Sequence, residues 1–295
     1  MHCELAIPGL LRGSAEARFA ALELLLARGR RRHAPARSLE AWLSEAFELG
    51  DAPFPAGALT LLGCGGDPGD ATWARADPMH LRLYRDHFAT VAGETFEVQR
   101  EEADALCEAL SRHFAAQLEF RACEPRHWCA RLVNDAALND ALVNEVQMLL
   151  HAHPLNEARE ARGDVAINSL RFWGVGRAPR GAQCRWQSVA AADPAVRGAA
   201  RLADTRHRPL PGSAAEWLDR LPEEGRHLAL LDAREAALAD LERDWFAPLL
   251  TALRAGRVGM VTLHALDGTE EVSFETIRGD LRRFWRTKKP VEHYA

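Results

Sequence analysis

Three stretches of the chain gather side chains that could grip an anion or a metal ion. "RADPMHLRLYRDH" (75–87) carries Asp77 and His80 among several arginines. Asp77 and His80 could meet one divalent ion or one phosphate, or they could sit on a polar strand edge with Asp77-Pro78 as a turn. "HAHPLNEAREARGDVAINS" (151–169) carries Asn156, Arg159 and Asn168. A guanidinium with two carboxamides suits an oxyanion. His151 and His153 diverge on a helix, which speaks against a metal pair. "INSLRFWGVG" (167–176) runs a buried strand into Trp173, Gly174 and Gly176. The glycine pair is either a ligand-facing loop at a strand end or a packing turn. It is not a dinucleotide loop, because Ala178-Pro179 stands where a third glycine and a helix start would be needed. No G-x-S-x-G elbow and no H-E-x-x-H occurs.

These groups must be held by elements that the pattern of apolar residues outlines. "CELAIPGLL" (3–11) reads as a buried strand stopped by Pro8-Gly9. A helix is expected over 15–29, and "RGRRR" (28–32) reads as its solvated end. Ser38 reads as the N-cap of a helix carrying Trp42, Leu43 and Phe47. The Gly-, Pro- and Asp-rich run 50–70 reads as a connection, and its "GCGGDPGD" lacks the Lys-Ser/Thr of a P-loop. Two strands around a turn near Arg85-Asp86, a helix with Ala103, Leu106, Leu110 and Phe114, and a strand pair near 118–133 follow. A helix with Leu142, Val146, Leu149 and Leu150 inward ends at Pro154. From 165 onward strands (165–173, 185–190, 228–232, 258–266) alternate with helices (194–203, 213–220, 233–254, 274–286). The last of these would be an amphipathic closing helix with Ile277, Leu281, Phe284 and Trp285.

The expected fold class is α/β. Residues 1–70 and 136–295 would form a core sheet with helices on both faces, carrying a small inserted α+β unit at 71–135. A chain of 295 residues with 47% apolar residues can bury such a core. The net charge of -5 implies no general affinity for nucleic acid. No apolar run approaches a membrane span, and the N-terminus lacks a signal-peptide layout. Six cysteines without a C-x-x-C pair read as reduced thiols, which places the protein in the cytoplasm.

At "ARADPMHLRLYRDH", "NEVQMLLHAHPLN", "NSLRFWGVG" and "WFAPLLTALRAG" the chain resembles the bacterial proteins labelled phosphoglycerate-mutase-like or regulatory protein of RpfE type. More remotely it is similar to the archaeal-type cofactor-independent phosphoglycerate mutases of the alkaline phosphatase superfamily. Pro154, Asn156, Arg159, Asn168, Trp173, Gly174 and Gly176 match their "hP-x-N-x-x-R…N-x-x-W-x-W-G-x-G" passage, with Arg171 in place of the first Trp. The resemblance implies an alkaline-phosphatase-like core with an inserted domain, two divalent metals (manganese or magnesium) and a serine nucleophile.

The chain departs from that pattern where the metals would bind. The first strand ends in Pro8-Gly9 instead of Asp-Gly, Ala236 stands four residues after Asp232 where a His is expected, and Leu266-Asp267-Gly268 replaces Asp-His-Gly. The expectation is a non-catalytic relative, without a metal cofactor, that regulates or binds. Its ligand would be a small phosphorylated or carboxylated molecule held by Asn156, Arg159, Asn168 and the Trp173–Gly176 loop, with Asp77 and His80 as further candidates. An active enzyme would need Asp77, His80, Asp232 and Asp267 as its metal ligands. A third reading is a protein-interaction module. Neither nucleic acid nor membrane is expected as a partner.

Overall fold

Strand β1 (His2–Pro8) is buried on both sides, as the middle of a parallel sheet demands, with Cys3, Leu5 and Ile7 on one face and Glu4 on the other. The computed structural model describes residues 1–12, 17–35, 37–83, 88–91, 96–134, 136–234, 236–266 and 271–295. They form two compact units: Met1–Glu48 with Ala182–Asp193 and Ala200–Ala295, and Leu49–Gly181 with Pro194–Ala199.

The further strands are β2 (Arg30–Ala34), β3 (Trp73–Leu83), β4 (Phe88–Val91), β5 (Leu118–Glu124), β6 (His127–Leu132), β7 (Ser169–Gly176), β8 (Ser188–Ala191), β9 (Arg206–Arg208), β10 (Arg226–Leu230), β11 (Met260–Leu266) and β12 (Glu271–Ile277). In the first unit they are ordered β2-β12-β11-β1-β10-β8-β9. The run from β11 to β9 is parallel, and β12 and β2 extend it antiparallel. Cys3, Leu5 and Ile7 face a core shared with Leu22 and Leu25 of the helix Ala20–Arg28 and with Leu249 and Leu253 of the helical stretch 238–255. That stretch carries a π turn at Glu242–Phe246, just before Pro248, which cannot donate in a regular ladder. On the opposite face lies the helix Leu39–Ala46, begun by Ser38, whose hydroxyl accepts from Ala41 N at 3.2 Å. Its Trp42 donates to Glu271 at 3.2 Å, and its ring centroid lies 5.4 Å from that of His264. Both outer strands are basic, with Arg30, Arg31 and Arg32 on β2 and Arg206 and Arg208 on β9.

The second unit is an antiparallel sheet, β4-β3-β6-β5, with β7 also pairing β3. The helices Arg100–His113 and Asp140–His151 set Leu106, Leu110, Val146 and Leu150 against it. Within it the helix Ala56–Gly63 packs Ala58 and Leu61 against Trp73 and Cys129. This unit is wider than the 71–135 insertion expected. Register explains the difference: Arg75, Ala76 and Asp77 pair with Trp173, Phe172 and Arg171, so β7 adds to the inserted sheet and not to the alternating core.

Other expectations change for similar reasons. The run 28–32 is mostly an edge strand, because β12 pairs it. The run 50–70 contains a buried helix of small apolar residues. Pro154 opens a helix at its first turn instead of only ending one. Residues 274–277 are strand, since Val272, Phe274 and Thr276 alternate inward and leave Glu271, Ser273 and Glu275 on the other side. A short 3-10 turn, Arg278–Arg282, follows, and Phe284 and Trp285 stand 80% and 67% exposed. The turn near Arg85-Asp86 lies outside the described residues. Among the described residues no helix is long and apolar enough to cross a membrane.

Glu4 is the one charged side chain on the central strand, and it is 1% exposed. Arg226 donates to it at 3.0 Å, Arg185 at 2.6 Å, and His264 Nε2 lies 3.3 Å away. Burial alone would raise this carboxyl; the hydrogen bond from His264 and the charge of Arg185 outweigh it and hold the group far below the usual carboxylate range. A carboxyl depressed in the fold stabilises it above the unfolded value, and that contribution is lost as pH falls toward the folded one. Glu4→Gln should cost about 2–3 kcal/mol at neutral pH, less than a fully buried pair because both arginines are half exposed. It should also flatten the loss of stability below about pH 4.3. Urea unfolding across that range checks this, and an acid limb as steep as that of the parent chain would refute it.

Candidate functional site

Strand alternation brings Arg75 and Asp77 to one face of β3, opposite Trp173 and Arg171 of β7. Asp77 accepts from Arg75 Nε at 2.7 Å and from Trp173 Nε1 at 2.8 Å. The guanidinium groups of Arg75 and Arg171 each lie 5.3 Å from the centroid of the Trp173 ring. Arg75, itself 1% exposed, also donates to Thr60 Oγ1 at 2.8 Å. Both oxygens of Asp77 therefore already serve a buried polar cluster. His80 Nδ1 lies 2.8 Å from the Ala166 carbonyl, so that nitrogen carries a proton and donates.

Asn168 closes a two-way hydrogen bond with the backbone of Leu81, at 2.7 Å and 2.9 Å. Asn156, 3% exposed, donates to Leu150 O and Ile167 O and accepts from Ile167 N, at 2.6, 2.9 and 2.7 Å. Arg159, 2% exposed, donates to Val165 O at 2.8 Å, to Glu97 O at 2.7 Å and to the carboxylate of Glu102. Glu102 in turn accepts Gln99 N at the start of the helix Arg100–His113, a capping contact, and binds Arg162 at 2.6 Å. Of the side chains that suited an oxyanion, Arg159 holds the protein's own, the Glu102 carboxylate, while Asn156 and Asn168 bind backbone groups.

Gly174 has φ +58, and a Cβ there would lie 2.8 Å from Ala56 N; one at Gly176 would lie 2.9 Å from Pro55 Cβ. The glycine pair lets β7 pass close to the start of the helix Ala56–Gly63, which is the packing reading of this loop.

In the first unit the parallel strands end near Pro8-Gly9 and Asp232. The Arg234 side chain clasps Asp232 with Nε to Oδ1 at 2.9 Å and Nη2 to Oδ2 at 2.5 Å, and Arg234 N reaches Oδ1 at 2.9 Å. The stem of Arg234 lies over Gly9, whose φ is +79 and whose added Cβ would come within 2.7 Å of it. Asp267 lies outside the described residues. Asp77 and His80 belong to the second unit and Asp232 to the first. Among the described residues no three His, Cys, Asp or Glu side chains gather as a metal site. Among the described residues the donors at these strand ends do not fit a pair of divalent metals: one strand end offers proline and glycine, and the next offers a carboxylate already paired with arginine.

Two solved structures share the architecture. The PH0037 protein of Pyrococcus horikoshii matches with a TM-score of 0.59 at 16% identity, over 93% of this chain and 87% of that one. The cofactor-independent phosphoglycerate mutase of Thermoplasma acidophilum matches with a TM-score of 0.52 at 15% identity, over 100% of this chain and 94% of that one. The fold is that of a cofactor-independent phosphoglycerate mutase. No protein-family model and no curated protein sequence matches the chain.

Sequence reasoning missed Arg234, although "DAR" after a strand was the signal for an arginine reaching back to an aspartate. It also missed the pair Ser188 and His227, 39 residues apart, with Ser188 Oγ 2.8 Å from His227 Nδ1. Only strand register brings that pair together.

Asn156→Ala removes three backbone partners from a buried turn. It should destabilise the chain by about 2–4 kcal/mol and leave the affinity for any small anion unchanged. Chemical unfolding paired with calorimetric titration of 3-phosphoglycerate reads both; an intact fold with lost affinity would restore Asn156 as a ligand contact.

Proposed function

We propose that the chain is a binding or regulatory protein built on a phosphomutase-type fold, without two-metal phosphoryl transfer. The observation that carries this reading is the Asp232–Arg234 clasp beside Pro8-Gly9. A metal-dependent mutase needs its strand-end carboxylates free for cations, because each is a direct charge partner of the ion. Here the carboxylate after β10 already has its cation, a guanidinium. The resemblance to RpfE-type regulatory proteins points the same way. The ligand of this reading is a small phosphorylated or carboxylated molecule, bound in the cytoplasm without a metal cofactor and without nucleic acid or membrane.

Incubation with 3-phosphoglycerate and manganese or magnesium tests it. The expected result is no 2-phosphoglycerate above the buffer blank. Turnover at about 1 per second or faster, the lower end for ordinary enzymes, would overturn the proposal.

A second reading, an interaction module, is favoured by Phe284 and Trp285. They form an exposed edge-to-face pair with centroids 5.3 Å apart. Residues 281–291 contain no acidic side chain but include Arg282, Arg286 and both lysines of the chain, Lys288 and Lys289. Such a patch fits a partner surface that is apolar and acidic. The double variant Phe284→Ser/Trp285→Ser should shift the melting temperature by no more than about 1–2 °C, as exposed substitutions do. A drop several times larger would mean the pair packs within the fold and would end this reading.

A further inference from the structure

A cavity of about 50 Å³ opens at the β9 edge of the first unit's sheet, beside the helix Ala214–Asp219. Its volume equals about two waters, enough for the end of a small molecule. Trp217, Pro209 and Pro211 give it an apolar wall. Arg206 and Arg208 both line it, on one face of the edge strand. Both are exposed, and among the described residues neither has a carboxylate partner. Arg220, which also lines the cavity, is already paired with Glu216 at 2.5 Å.

Ser188 completes the wall, opposite Arg206 in register, and His227 stands behind it on β10. His227 Nε2 lies 3.0 Å from the Glu224 carbonyl, which can only accept, so Nε2 carries the ring proton. Burial pushes the ring's pKa down and keeps it neutral near pH 7. Nδ1 is therefore a lone pair, and the Ser188 hydroxyl donates to it across 2.8 Å. The proton of Ser188 is committed to His227, so what its hydroxyl can offer a ligand is an acceptor lone pair.

We propose that this cavity binds a small hydroxy-acid anion: its charged group pairs with Arg206 and Arg208, and its own hydroxyl donates to Ser188 Oγ. Two guanidinium groups on one strand face supply charge-assisted hydrogen bonds to a carboxylate or phosphate. An anion without a hydroxyl would pair with the same arginines but leave the Ser188 acceptor unsatisfied. The choice of a small anion rests on the binding reading above; the place and the demand for a hydroxyl do not.

Calorimetric titration of the full chain with lactate and with propionate is the test. Lactate should bind about fivefold more tightly, the worth of one ordinary hydrogen bond. Arg206→Ala/Arg208→Ala should weaken lactate by about tenfold or more with an unchanged melting temperature. Arg30→Ala/Arg32→Ala, at the opposite sheet edge, should not. No lactate binding, equal affinity for propionate, or equal loss in the two double variants would each overturn the proposal. If lactate fails in any of these ways while 3-phosphoglycerate still raises the melting temperature, the site falls and the binding reading stands. Mutase turnover overturns that reading whatever the cavity binds.

Discussion

A carboxylate on the central strand of a parallel sheet must have positive charge brought to it from the neighbouring strands. Glu4 meets that condition through Arg226 at the start of β10, Arg185 just before β8 and His264 on β11. The three partners come from three separate parts of the chain, and each reaches Glu4 only in one register. A slip of one residue would turn Glu4 into the apolar face with Leu5 and Ile7's neighbours and strand the arginines. The apolar face admits many packings of similar volume; the charged face admits one alignment of β8, β10, β1 and β11. The helix Leu39–Ala46 then has a defined surface to cover, and Trp42 reads it through His264 and Glu271.

Much of this was legible in the sequence wherever one signal acted locally. Ser38 before an apolar repeat marks a helix start, and the Leu142, Val146, Leu150 spacing marks a buried face; both stand in the structure. The broad class, a sheet with helices on both faces plus an α+β insertion, followed from such local signals. What failed was partner choice. "SLRFWGVG" reads as a strand in either sheet, and only its pairing with β3 decides which. "RRRHA" has no apolar alternation at all and is a strand because β12 offers it hydrogen bonds. "EVSFETI" has the period of a strand, but the leucines and aromatics that follow drew it toward a helix.

The candidate site was legible as chemistry and not as destination. Asn156, Arg159 and Asn168 have the donors that an oxyanion wants, and backbone carbonyls and a buried glutamate want the same donors. Residue type cannot separate the two uses, because the physics of the contact is identical. Burial separates them: an arginine 2% exposed with its donors turned toward Glu102, Glu97 and Val165 belongs to the fold. The strand ends were easier, since Pro8 and Gly9 carry no carboxylate in any conformation. Arg234, the group that clasps the next strand end's Asp232, came from the geometry alone.

The two outer strands of the larger sheet, β2 and β9, present arginines in place of the apolar or neutral residues that invite strand addition. An incoming strand would find open backbone hydrogen bonds but would have to set its own side chains beside guanidinium groups. A basic segment is repelled by that row of charge and an acidic one attracted, so neither edge strand pairs readily with the like edge of a second copy.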